Sequence, residues 1–190
     1  LLSSNVAEIM IIFLATLAGL PSPLTVIQLL WLNLITDGAP ALALAMERGD
    51  PDIMTRPPRP KKEPIVNSSM RTGIIIQTIT QTTVVLTAFG LGLLWELKTL
   101  GYYMPQGVNP LAYLLGFDWH SVNLENVRTA ETMAFMTLSL CELFRAYTVR
   151  SEKVSLARIG VFSNKWMQYA VGASILLLLL VCVVPFLQGI

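Results

Sequence analysis

The chain has 190 residues, of which 54% are apolar and 13% charged, with a formal net charge of +1 and a mean hydropathy of +0.61. That hydropathy exceeds what soluble globular domains show, and the near balance of charge implies neither nucleic acid nor an acidic partner, so functional charge has to be local. Two cysteines, Cys141 and Cys182, stand alone in apolar runs, and the one histidine, His120, lies in polar FDWHSVN, which argues against thiolate or imidazole chemistry.

Leu1 and Leu2 open directly in apolar sequence with neither a basic leader nor a cleavage site, so the chain reads as cut there rather than begun. A helix needs about 20 mostly apolar residues to cross the hydrocarbon of a lipid bilayer, and five runs approach that length. The first, residues 1–20, ends at Gly19 and the turn Pro21-Ser22-Pro23. The second covers 24–46, and the third, 72–97, opens after Arg71 and closes at Glu96 and Lys98. The fourth is 130–148 and the fifth 166–187. Runs this long exclude transmembrane strands, which need about ten residues of alternating polarity. The expected class is an all-α membrane protein, a bundle of about five transmembrane helices.

Loop charge sets a direction. Residues 47–71 carry Arg48, Arg56, Arg59, Lys61, Lys62 and Arg71, and 145–165 carry Arg145, Arg150, Lys153, Arg158 and Lys165. Loops 47–71 and 149–165 are therefore expected in the cytoplasm, whereas the connection 99–129, with Arg128 as its one basic residue, faces outward. The first span then runs from the cytoplasm outward and Ile190 ends outside. Trp95 and Trp166 suit interfacial anchoring; Trp31, mid-span, suits packing.

Three carboxylates interrupt the spans: Glu8, Asp37 and Glu142. Ionised groups in hydrocarbon are costly enough to face a protein interior and to mark an ion path. Asn5 and Glu8 share one face of the first helix, and Asn33, Thr36 and Asp37 form one polar stripe on the second. The short proline turn makes these two helices neighbours, so the stripes can meet, with Glu142 closing the cluster. The alternative for each carboxylate is a helix-pairing hydrogen bond or an interfacial position, above all for Glu142, which neighbours Arg145. Gly38 and Pro40 weaken the helix after Asp37, so the second span is expected to unwind near 36–40 and to expose carbonyl oxygens. A simple proline kink is the alternative. All these ligands are oxygens, which suits a hard cation such as calcium better than zinc or copper. Three negative charges fall short of two divalent ions, so a second ion needs a carboxylate from outside the chain.

The stretches SSNVAEI at 3–9, LPSPLTVIQLLWLNLITDGAPALAL at 20–44 and DPDIMTRPPRPKKEP at 50–64 resemble the membrane half of the calcium-transporting P-type ATPases, and ETMAFMTLSLCEL at 131–143 continues the likeness more weakly. The resemblance implies helices five to nine of a ten-helix membrane domain. It implies that Asn5, Glu8, Thr36, Asp37 and Glu142 hold one calcium ion, and that Asn33 and Asp37 contribute to a second site completed by carbonyls and a glutamate of the fourth helix. Asn33 departs from sodium–potassium pumps, which carry aspartate there, and keeping both Glu8 and Glu142 departs from single-site calcium and manganese pumps. The resemblance gives the proline-rich loop 50–64 a contact with the phosphorylation domain, and places Mg2+ and ATP in cytoplasmic domains outside this chain, which has no DKTGT-like motif and no catalytic residue of its own.

The implied function is the ion-binding membrane part of an ATP-driven calcium efflux pump working by alternating access. Carboxylates that lose their cation in a buried site favour proton uptake, so proton countertransport is expected. Competing readings are a manganese or other cation pump, a cation transporter or channel subunit that works without ATP, and a membrane scaffold. Short loops lean towards a bacterial plasma membrane; otherwise an internal calcium-store membrane is expected.

Overall fold

The computed structural model describes residues 2–49, 53–55, 64, 66–119, 127–151 and 155–184. Most of the proline-rich loop and His120 lie outside the described residues. Every regular element among the described residues is helical. The first run is α1 (Leu2–Leu17), and the second comprises α2 (Val26–Trp31), a π-helical segment (Leu32–Asp37) and α3 (Gly38–Ala45). A short 3₁₀ turn at Ile53–Thr55 precedes α4 (Ser68–Thr99). α5 (Pro110–Gly116) lies in the connection read as a loop, then come α6 (Arg128–Thr148), the single turn α7 (Leu156–Ile159) and α8 (Lys165–Val183).

Local chemistry sets these boundaries. Gly19, at φ +70°, ends α1 in a left-handed turn whose Leu20 N–H returns to the Ala15 carbonyl at 3.0 Å. Thr25 and Gln28 form a reciprocal capping box at the start of α2, each side chain accepting from the other's backbone N–H. Asn67 accepts from Met70 N–H at 2.8 Å, which begins α4 four residues before the apolar run itself. α6 has no cap from its own flank. Glu96 of α4 supplies it, its Oε1 accepting from the N–H groups of Thr129 at 2.6 Å and Ala130 at 3.4 Å.

Val26–Ala45, Ser68–Thr99 and Lys165–Val183 are long and apolar enough to cross a membrane. α1 is a shorter apolar helix of 16 residues, and α6 carries Arg128, Glu131, Glu142 and Arg145 along its length. Phe13, Leu17, Leu34, Ile79 and Leu179 stand exposed on outward faces, an apolar surface suited to lipid rather than water. This is an all-α membrane region.

α4 is the central post. It packs most extensively on α6 and α1, and Val85, Phe89 and Leu93 meet Ile11, Leu32, Leu138 and Leu178 in one core. The neighbour expected for α1 was the second helix. The two do touch, where Asn33 Nδ2 donates to Glu8 Oε2, but α1 packs most extensively on α4. Trp31 packs against this core, as its central position suggested, while Trp95 and Trp166 are exposed. Gly92 lets α4 and α6 close: a Cβ there would meet Ala130 Cα at 2.6 Å. Gly92→Val should therefore cost about 1–3 kcal/mol and lower the thermal midpoint of detergent-extracted protein. Gly90→Ala, whose Cβ would meet only Leu114 Cδ1 at 3.5 Å, should leave it unchanged.

Candidate cation site

The polar stripes read from the sequence converge on the π-helical segment. Thr36 and Asp37 are 1% and 8% exposed, and Glu8 and Glu142 are 6% and 3% exposed. Asn33 Nδ2 donates to Glu8 Oε2 at 3.3 Å and to the Leu29 carbonyl at 2.9 Å. Thr36 Oγ1 lies 2.7 Å from both Glu142 Oε2 and the Leu32 carbonyl, and with one proton it donates to one of them at a time. The Glu8 and Glu142 carboxyl groups face one another, with Asp37 close enough to interact with both. α1, the second helix and α6 thus each bring one carboxylate. Asn5, on the exposed side of α1, stays outside this hydrogen-bonded group.

The backbone at the site differs from the unwinding expected over 36–40. Asp37 (φ −93°, ψ −44°) and Gly38 (φ −65°, ψ −52°) remain helical, and the departure from α geometry is the wider π ladder upstream at Leu32–Asp37. Pro40 lies inside this continuous helix and has no N–H to donate, so a carbonyl of the preceding turn needs another donor. The Ile35 carbonyl, on the turn before it, accepts from the Ser174 hydroxyl of α8 at 3.0 Å. The strain of the glycine and proline is absorbed by the π turns and a neighbouring helix, so no open stretch is needed.

Glu8 Oε1, Asp37 Oδ2 and Glu142 Oε1 are buried without a hydrogen-bond donor. Carboxylates facing each other out of water need positive charge between them, a proton or a metal cation. The donor set, three carboxylates with a hydroxyl and an amide, is all oxygen on its accepting side and fits a hard cation. A cavity of about 60 Å³ opens beside it, lined by Ser3, Ser4, Thr36, Asp37, Glu142 and Arg145 among others. Among the described residues the acidic groups approach in pairs, and no three acidic, histidine or cysteine side chains stand at spacing that would enclose one metal. Arg145 lines the cavity with its Nε buried and without an acceptor, and it forms no ion pair with Glu142. The nearby arginine therefore does not account for the burial of Glu142.

Residues 21–190 match the family described as cation transporting ATPase, C-terminus. This chain belongs to that family. It resembles much longer proteins: it is 38% identical over its whole length to a calcium-transporting ATPase of Bacillus subtilis (strain 168), covering 18% of that protein. Over 99% of the chain it is 31% identical to an endoplasmic reticulum calcium ATPase of Aspergillus fumigatus, covering 20% of it. Over 100% it is 32% identical to calcium-transporting ATPase type 2C member 1 of Pongo abelii, covering 18%. The chain therefore spans about a fifth of the length of these relatives and corresponds to the C-terminal membrane part of a P-type cation ATPase.

Within this family member, several residues near the site escape a reading of single spans. Ser3 and Ser4 line the cavity, and Ser174 completes the main-chain bonding of the second helix, yet each is one small hydroxyl in an apolar run. The only hint was polarity on an otherwise apolar helix. Thr36→Val should leave Glu142 Oε2 without its donor and lower stability by about 1–3 kcal/mol. Thermal unfolding in detergent would read this, and Thr36→Ser, which restores the hydroxyl, should recover most of the loss.

Proposed function

We propose that this chain carries the ion-binding core of an ATP-driven calcium efflux pump. The observation that carries the reading is the meeting of Glu8, Asp37 and Glu142 on three helices, each with a buried oxygen lacking a donor. A divalent cation that drew the three carboxylates closer together would answer all three acceptors, whereas hydrogen-bond donors would have to be supplied one by one. Asn33, Thr36 and Asn5 complete the proposed ligand set, with Asp37 shared between two ions. The second ion draws a further carboxylate from the fourth helix of the same polypeptide, on the side where Asn5 and Asn33 are now exposed.

The proposed topology has five spans, with 47–71 and 149–165 on the cytoplasmic side. α1 and α6 then cross within the bundle, and the exposed apolar faces of α4 and α8 meet lipid. Mg2+ and ATP act in cytoplasmic domains of the same polypeptide, and loop 50–64 contacts the phosphorylation domain. Protons replace calcium on the emptied carboxylates, giving countertransport. The membrane is the plasma membrane of a bacterium or an internal calcium store.

The test is ATP-dependent uptake of radioactive calcium into inverted vesicles bearing the full-length pump. Asp37→Asn and Glu8→Gln should each raise the calcium needed for half-maximal uptake at least about tenfold, since each removes a charged ligand. Uptake indifferent to both substitutions would move the site elsewhere. Uptake of manganese in preference to calcium would favour the other cation reading.

A further inference from the structure

At the end of the bundle where α3 and α6 finish and α8 begins, a buried ion pair joins all three helices. Glu47 follows α3, Arg150 follows α6, and Asn164 caps α8. Arg150 engages all five of its N–H donors. Nε donates to Glu47 Oε2 at 2.9 Å and Nη2 to Glu47 Oε1 at 2.7 Å, a bidentate pair. The remaining Nη2 proton goes to Ser163 Oγ, and Nη1 donates to the carbonyls of Gly160 at 2.9 Å and Val161 at 3.0 Å. Asn164 Nδ2 donates to Glu47 Oε2 at 2.7 Å and to the Ala43 carbonyl at 3.0 Å, while its Oδ1 accepts from Met167 N–H. The Arg150 side chain is 0% exposed and that of Glu47 15%. The Arg150 hydrogen bonds, helped by Asn164 and opposed by burial, hold the Glu47 carboxyl below the usual carboxylate range, so it is charged at neutral pH.

A surface ion pair of this kind would contribute little, but this one is buried with every donor of the guanidinium satisfied, so loss of either partner leaves an uncompensated charge. Its position gives it a further role. Asp37 lies upstream of Glu47 on one helix and Glu142 upstream of Arg150 on the other, and both side chains open onto one cavity. Between the site and the pair, Ala43 of α3 and Leu143 and Ala146 of α6 pack in one apolar cluster with Met167 and Val171 of α8, contacts that carry no directional bond of their own.

We propose that Glu47, Arg150 and Asn164 form a clamp that positions the cation site, fixing α3 against α6 and α8 so that Asp37 and Glu142 stay opposed. None of the three touches the cation; they are positioning residues. The clamp also ties the cation helix to the start of loop 50–64, because Glu47 stands where that helix passes into it. This inference rests on the calcium-pump reading above.

The test uses the full-length pump in inverted vesicles, with calcium-titrated uptake normalised to the amount of monodisperse pump recovered in detergent. Arg150→Met and Glu47→Gln should each raise the calcium required for half-maximal uptake about tenfold, with maximal rate per folded pump kept within about twofold. The double variant should be no worse than the worse single one, because both break the same pair. Arg150→Lys, which keeps the charge and loses the fork, should fall between. If Arg150→Met does not accumulate, the near-isosteric Glu47→Gln carries the same comparison. Half-maximal calcium within about twofold of the parent, effects that multiply in the double variant, or losses that only follow the amount of folded pump would each overturn the clamp. A parent that takes up no calcium would instead overturn the reading on which it rests.

Discussion

A carboxylate withdrawn from water must be answered by something inside the protein, and the whole bundle is organised by that requirement. The described acidic groups are answered in different ways. Glu47 meets a guanidinium and an amide, and Glu96 meets the N-terminal N–H groups of another helix. These two are structural, because their partners are permanent parts of the chain. Glu8, Asp37 and Glu142 each keep a buried oxygen without a donor, as Glu96 does at Oε2, but these three come together from three helices. What separates them from Glu96 is that they face one another, so each adds to the charge that the others leave unanswered.

The backbone obeys the same rule. In hydrocarbon a carbonyl or N–H without a partner is as costly as a misplaced side chain, so a helix disrupted by proline must find replacements nearby. Here they come from α8 through Ser174 and from the π ladder itself. α8 is almost wholly apolar, yet it supplies a hydroxyl to the second helix and, through its Asn164 cap, an amide to Glu47. α8 thereby bonds two main-chain carbonyls of the second helix, Ile35 through Ser174 and Ala43 through Asn164.

Much of this was legible in the sequence because the relevant signals are local. Run length gave the helices, and the three-and-four spacing of Asn33, Thr36 and Asp37 placed them on one stripe, which Thr36 and Asn33 fulfil by bonding Glu142 and Glu8. Asn5 shared the spacing but not the outcome: spacing fixes a face, and what covers that face is decided by helices that pack there. The π segment was missed for a related reason. Glycine and proline announce that the ladder is disturbed, but whether it opens or widens depends on the availability of Ser174, distant in sequence. Arg150 reads singly as a loop charge beyond the end of an apolar run, and nothing local announces Glu47, so far away along the chain, as its partner. Gly92 likewise shows its purpose only once Ala130 lies against it.

The π segment also sets the phase of the helix beyond it. An α-helix turns roughly 100° per residue, so accommodating about one extra residue in the ladder rotates everything downstream by about that angle relative to an uninterrupted α-helix. Asp37 and Pro40 therefore occupy an azimuth that a regular helix of the same sequence would assign to a neighbouring position. Regularising the ladder without removing a residue would turn the carboxylate of Asp37 off the wall of the cavity, whereas deleting one residue between Leu32 and Asp37 would regularise it and keep that carboxylate's azimuth. In this helix angular register, as much as composition, is an inherited property of the site.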